Sequence, residues 1–160
     1  MPVAWILTKI QPNYLKQLAA IPNDALWSKM WDMVQIRMPG AWDITKGNSS
    51  VIVAINDSGV ARHPDLVDRL LPGYDFVDND NDASPEVGVE LESHGTHCAG
   101  TAAAQGNNQI GVCGVCWDGV KILPVRVGTA AGLATSAIVN GLDYAMRQGA
   151  DVVSMSYGGY

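Results

Sequence analysis

A chain of 160 residues, 48% hydrophobic and 16% charged, is long enough for one domain with a real core and short for two. Its net charge of −6 argues against general nucleic-acid binding, which needs clustered Lys and Arg against phosphate. No apolar run approaches the roughly 18 residues that a membrane span requires.

The opening MPVAWILTKI lacks a basic start and a small-residue cleavage site, so it does not read as a signal peptide. Residues 1 to about 38, with Trp5, Trp27, Trp31 and scattered prolines, read as an arm wrapping a domain that begins near PGAWDITKG, 39–47. SSVIVAINDSG (49–59) is a continuous apolar run closed by Asp, Ser and Gly, the pattern of a fully buried strand. Residues 72–93 are turn-rich and acidic and read as a surface loop. The stretch from Gly95 to about Ala104 is rich in Gly and Ala, which suits a helix packed closely between layers.

VKILPVRV (120–127) and ADVVSMS (150–156) are further buried runs. Between them ATSAIVNGLDYAMRQG (134–149) predicts a helix with Ile138, Leu142 and Ala145 on one face. Thr135 or Ser136 can cap its start, and Gly149 suits its stop. Strand, helix, strand in that order implies an α/β fold, a parallel sheet flanked by helices.

Three cysteines cannot all pair internally, and CGVC (113–116) has redox or zinc spacing without a second pair, so ordinary buried thiols are expected there. In an open parallel sheet, function collects beyond the carboxyl ends of the strands. Asp57 ends the first buried run, where a carboxylate needs an ionic or hydrogen-bonding partner, although DSG also suits a plain turn cap. His94 and His97 are too close for the i, i+4 zinc helix, and HGTH lacks that motif's glutamate. Asp57 and His94 can form the supporting half of an acyl-transfer triad, the carboxylate fixing the imidazole tautomer.

These motifs, VIVAINDSGVARHPDL (51–66), SHGTHCAGT (93–101), KILPVRV (121–127) and ADVVSMSYGG (150–159), resemble the subtilisin-like serine proteases in order and spacing. NDALWSKMW, PGAWDITKG and YDFVDNDND resemble the thermitase-like branch. The resemblance implies a subtilisin-like three-layer sandwich and an endopeptidase with Asp57 as orienting acid and His94 as general base. His97 would be a packed bystander. Ser156, Tyr157 and Gly158 would bind an extended polypeptide substrate as an added strand, with GTAAGL (128–133) near the opposing edge.

The resemblance also implies structural calcium. Alternating carboxylates Asp75, Asp78, Asp80 and Asp82 suit a hard cation or a solvated loop, and the family resemblance favours calcium. An EF-hand is excluded, because Ala83 stands at the turn glycine and Val89 at the bidentate glutamate. The stronger site would use the carbonyls of Gln105, Ile110 and Val112, the Asn108 side chain, and the carboxylates of Asp65 and Asp24.

The family's Gly-Thr-Ser-Met-Ala nucleophile motif does not occur in the sequence, so the 160 residues read as the N-terminal part of a catalytic domain, inactive alone. IQPNY resembles the end of the family's inhibitory propeptide, which makes residues 1–20 a candidate remnant and 21–160 the domain part. Family members are mostly secreted. Cys98 resembles a thiol of some relatives and implies mercury sensitivity. A calcium-stabilised pseudoenzyme or binding module on the same scaffold is the alternative, and a redox protein using CGVC a third reading.

Overall fold

A computed structural model describes residues 20–88 and 93–158. Most of the proposed propeptide remnant, with Trp5 and IQPNY, lies outside the described residues, as does the position of Val89. The three apolar runs form β1 (Ile52–Asp57), β3 (Lys121–Arg126) and β6 (Val152–Ser154), but β6 stands at the end of the described strand order and is not the buried run expected, since Val152 is 53% exposed. A short strand β2 (Tyr74–Asp75) joins them in one parallel sheet of order β2-β3-β1-β6. β3 and β6, consecutive runs around one helix, are therefore not neighbours, because β1 lies between them.

Side chains alternate across a strand, and the two faces feed two helices. On one face Ile55, Val120 and Ile122 pack with Ala99 and Ala103 of α3 (His94–Ala103). On the other, Ala54, Leu123, Val125 and Val127 pack with Ile138 and Ala145 of α4 (Thr135–Arg147). Helix, sheet and helix give the three layers, and burying each large aliphatic side chain contributes about 1.5–3 kcal/mol.

Three expectations about α4 and the acidic segment need correction. The N-cap of α4 is Ala134 and makes no side-chain cap, since Thr135 already lies inside the first turn. Leu142 is absent from the core; Gly141 takes the contact, and a Cβ there would sit 2.5 Å from Asn56 Oδ1 and from Val127 Cγ1. The segment from 72 is not all surface loop, because β2 pairs with β3 and Asp75 is buried. Gly149, at φ 78°, does close the helix.

β4 (Gly128–Thr129) and β5 (Gly132–Leu133) form an antiparallel hairpin within GTAAGL. The N-terminal segment forms two short helices, α1 (Trp31–Gln35) and α2 (Met38–Trp42). Met30, Met33 and Trp42 close a separate cluster over Cys113 and Trp117, with Trp42 and Trp117 stacked at 4.6 Å. Trp27 flanks that cluster, whereas Trp31 is 76% exposed and takes no part in the wrap.

All three cysteines are free thiols. Burial pushes the Cys113 thiol up to about 12, and the Cys116 carbonyl accepts from Arg69 Nη1 at 2.8 Å. CGVC is thus a packed turn with no disulfide.

Candidate active site

Parallel strands deliver their carboxyl ends to one edge, and β1 ends there on Asp57. The carboxylate is 3% exposed. Its Oδ1 accepts the Ser58 amide at 2.7 Å and faces His94 Nδ1 at 2.8 Å. A carboxylate can only accept, so Nδ1 carries the proton and donates. The lone pair then resides on Nε2, on a side chain 51% exposed. Buried acid and open base is the division of labour that proton abstraction requires.

The approach is set by Gly95. A Cβ at that position would lie 2.4 Å from the Gly59 carbonyl oxygen and 3.0 Å from Asp57 Cβ. Ser58 Oγ accepts the Gly95 amide at 3.1 Å and Thr96 Oγ1 accepts the Ala61 amide at 2.9 Å. The start of α3 is therefore sewn to the turn after β1. His97 is exposed rather than packed, because it faces away from the sheet on the outer side of α3. Among the described residues no serine hydroxyl hydrogen-bonds to His94.

Cys98 Sγ lies 4.0 Å from both ring nitrogens of His94. The donor atoms of Asp57, His94 and Cys98 all lie within 4.8 Å of one another, a mixed set that could hold a soft metal ion.

Ser156 and Gly158 are exposed and Tyr157 is half-buried. Among the described residues no backbone hydrogen bond occupies 156–158, leaving donors and acceptors for an extended chain. Tyr157 is anchored by its hydroxyl, which accepts from Asn56 Nδ2 at 3.2 Å.

The cation-site residues fall into two groups. Asp24 and Asp65 are both buried, and among the described residues neither has a cationic side chain within ion-pair distance. Asp24 accepts the amides of Asn107 (2.8 Å) and Asn108 (3.4 Å). Asp65 accepts Asn108 Nδ2 at 2.7 Å and the Val112 amide at 2.9 Å. Asn108 Oδ1 instead accepts the Ile110 amide at 2.8 Å. Among the described residues, no hydrogen bond engages the carbonyls of Gln105, Ile110 or Val112. Two buried carboxylates and three unengaged carbonyls around one loop make an all-oxygen donor set of the type calcium takes.

The acidic loop already contains a cation. Arg126, 2% exposed, meets Asp75 Oδ2 at 2.7 Å and Asp78 Oδ2 at 2.8 Å, with Glu86 at 3.3 Å. Asp75 Oδ1 takes the amides of Val77 and Asp78, and its Oδ2 is paired with the Arg126 guanidinium. That fixed positive charge would repel a metal ion, and Asp24 and Asp65 lack one among the described residues, so Asp75 does not fit a metal ligand as it stands. Asp80 and Asp82 each accept a backbone amide through Oδ1, from Asp82 and Ser84 respectively. A hydrogen bond to Ser84 holds the Asp82 carboxyl below its ordinary value.

Arg126 and Asn56 are site residues that the sequence reading passed over. Both are polar residues near the carboxyl ends of otherwise apolar runs, and that position was the available signal.

Comparison with known proteins fits this geometry. Residues 48–159 match the Subtilase family of peptidases. The chain is 45% identical over 141 residues to thermitase of Thermoactinomyces vulgaris, covering 86% of the chain and 48% of that protein. It is 40% identical over 151 residues to a thermophilic serine proteinase of a Bacillus species, covering 92% and 36%. A solved protease of Pseudoalteromonas arctica superposes with a TM-score of 0.78 at 35% identity, covering 88% of the chain and 51% of that structure. The chain therefore belongs to the subtilase family, and it spans about half or less of the length of these relatives.

Proposed function

We propose that the chain supplies the acid, the base and part of the peptide-binding edge of a serine endopeptidase. The 2.8 Å contact between Asp57 and His94 at the carboxyl edge of the sheet carries this reading. Asp57 orients the ring, and His94 Nε2 takes the proton of a serine hydroxyl as that oxygen attacks a peptide carbonyl. The same proton then passes to the leaving amine, while Asp57 stabilises the imidazolium between the two transfers. Residues 156–158 hold the substrate extended by main-chain pairing. The serine on which this relay would act is not among the described hydrogen-bond partners of His94.

Calcium belongs to the proposal as a structural ion. Asp24, Asp65 and Asn108, with the carbonyls of Gln105, Ile110 and Val112, would hold it and staple the N-terminal segment to the domain. A second site would draw on Asp80 and Asp82 and on the one Asp78 oxygen not paired with Arg126, Asp75 being committed to Arg126 through one oxygen and to two amides through the other. Extended polypeptides are the substrates, an inhibitory propeptide the expected partner, and secretion the expected destination. A calcium-stabilised binding module on the same scaffold is the second reading, since the Asp24–Asp65 loop and the open 156–158 edge would serve binding without a nucleophile.

Hydrolysis of a labelled peptide by the intact protease tests the primary reading. Turnover must fall to background in His94→Ala, and turnover that survives this change sinks the proposal. Peptide binding without turnover in the intact protein would favour the module.

A further inference from the structure

Consecutive residues of a strand point to opposite faces. At the end of β1 this sends Asp57 toward α3 and Asn56 toward α4. Asn56 is fully buried within an otherwise apolar stretch, where a primary amide is costly unless its hydrogen bonds are used. Its Nδ2 donates to the Tyr157 hydroxyl at 3.2 Å and, at 3.4 Å, to the Ile138 carbonyl of α4. Rotating the amide would set Oδ1 against that carbonyl, acceptor to acceptor, so the donor orientation is the one chemistry selects. Gly141 clears the space on the other side, because a Cβ there would strike Asn56 Oδ1 at 2.5 Å.

We propose that Asn56 is a positioning residue for substrate, holding the Tyr157 hydroxyl so that the 156–158 edge stays in register with the Asp57–His94 pair. This rests on the peptide-binding reading of that edge. One dipeptide then grips both halves of the site: Asp57 fixes the imidazole, and Asn56 fixes the segment after β6 along which the scissile peptide would lie. Tyr157 is suited to the link because its ring packs in the core beside α4 while its hydroxyl reaches back under the sheet end. Burial, and secondarily the Asp57 charge, raises the Tyr157 phenol above its ordinary value, so the hydroxyl stays neutral at physiological pH.

The test measures binding of a fluorescently labelled extended oligopeptide to the full chain and its variants. Tyr157→Phe deletes one oxygen, and Asn56→Leu removes the donor at similar volume. Each is expected to weaken binding about three- to tenfold, and the double variant no more than the worse single one, since both cut the same link. The Tyr157 ring resonance, followed by NMR, shifts in Asn56→Leu and reports the lost link directly. Wild-type affinity in both folded single variants overturns the positioning role and leaves the peptide-binding reading standing. Absence of peptide binding by the wild type overturns that reading and the inference with it. Tyr157→Phe keeps the strand intact, so it decides the matter should Asn56→Leu fail to fold.

Discussion

Asp57 and His94 stand 37 residues apart in sequence and 2.8 Å apart in space, a buried carboxylate against a half-exposed imidazole. Replacing the carboxylate by an amide keeps the shape and loses the tautomer control. On the proposed reading, Asp57→Asn is expected to lower the kcat of peptide hydrolysis by about 10⁴, the loss that such a change brings in Asp-His-Ser enzymes. Steady-state kinetics on one peptide would show it, and a loss below tenfold would remove Asp57 from the relay.

Calcium should stabilise the fold through Asp24 and Asp65. An ion that binds the native state alone adds about 2.7 kcal/mol at a hundredfold excess over Kd. For a domain of this size that is a rise of roughly 5–10 °C in Tm, reversed by a chelator. Asp24→Asn and Asp65→Asn should each erase most of the shift. Equal shifts in wild type and both variants would place the ion elsewhere.

The Arg126 cluster is a stability element of unequal parts. Arg126→Met leaves Asp75, at 1% exposure, as an uncompensated buried charge and should cost about 3–5 kcal/mol in urea unfolding. Glu86, whose side chain is 59% exposed, contributes far less, and Glu86→Gln should cost under about 1 kcal/mol.

The thiols should separate by accessibility. Cys98, partly exposed beside His94, is expected to react with a mercurial or an alkylating reagent in the native state and to block activity. Cys98→Ala should abolish that block. Cys113, with its thiol pushed up to about 12 by burial, should label only after unfolding. Mass spectrometry of the labelled chain distinguishes the two.

Alkaline pH should destabilise the fold through two phenols. Burial raises both Tyr144 and Tyr157, so the folded state retains their protons above the ordinary value near 10 that applies to the unfolded chain. Their contribution is complete below about pH 10 and is lost as pH rises through the higher folded values. Urea titrations between about pH 9 and 11 should show a shallower decline in Tyr144→Phe and Tyr157→Phe than in wild type.

The long apolar strands and both major helices were legible in the sequence, since each buried run or Gly/Ala stretch leaves a local pattern. β2 was not, because its short span lies inside an acidic stretch and is held by Arg126, 51 residues away. The contact between Asp57 and His94 was legible from the place of Asp57 at the exit of a buried run and from the DSG and HGTH motifs, although DSG alone also suited a turn cap. The link between Asn56 and Tyr157 spans 101 residues and had no such flag. The missed face of α4 has the same origin: Gly141 presents no side chain, so periodicity pointed to Leu142, while backbone proximity decided the packing.

Register places Asp57 beside Arg126 and Arg126 beside Asp75, in one row across the sheet exit and on the same face. The guanidinium is engaged on the Asp75 side, where Asp78 and Glu86 add two further carboxylates around it. The acidic turn thus occupies the positive charge that the strand register sets beside the Asp57 carboxylate.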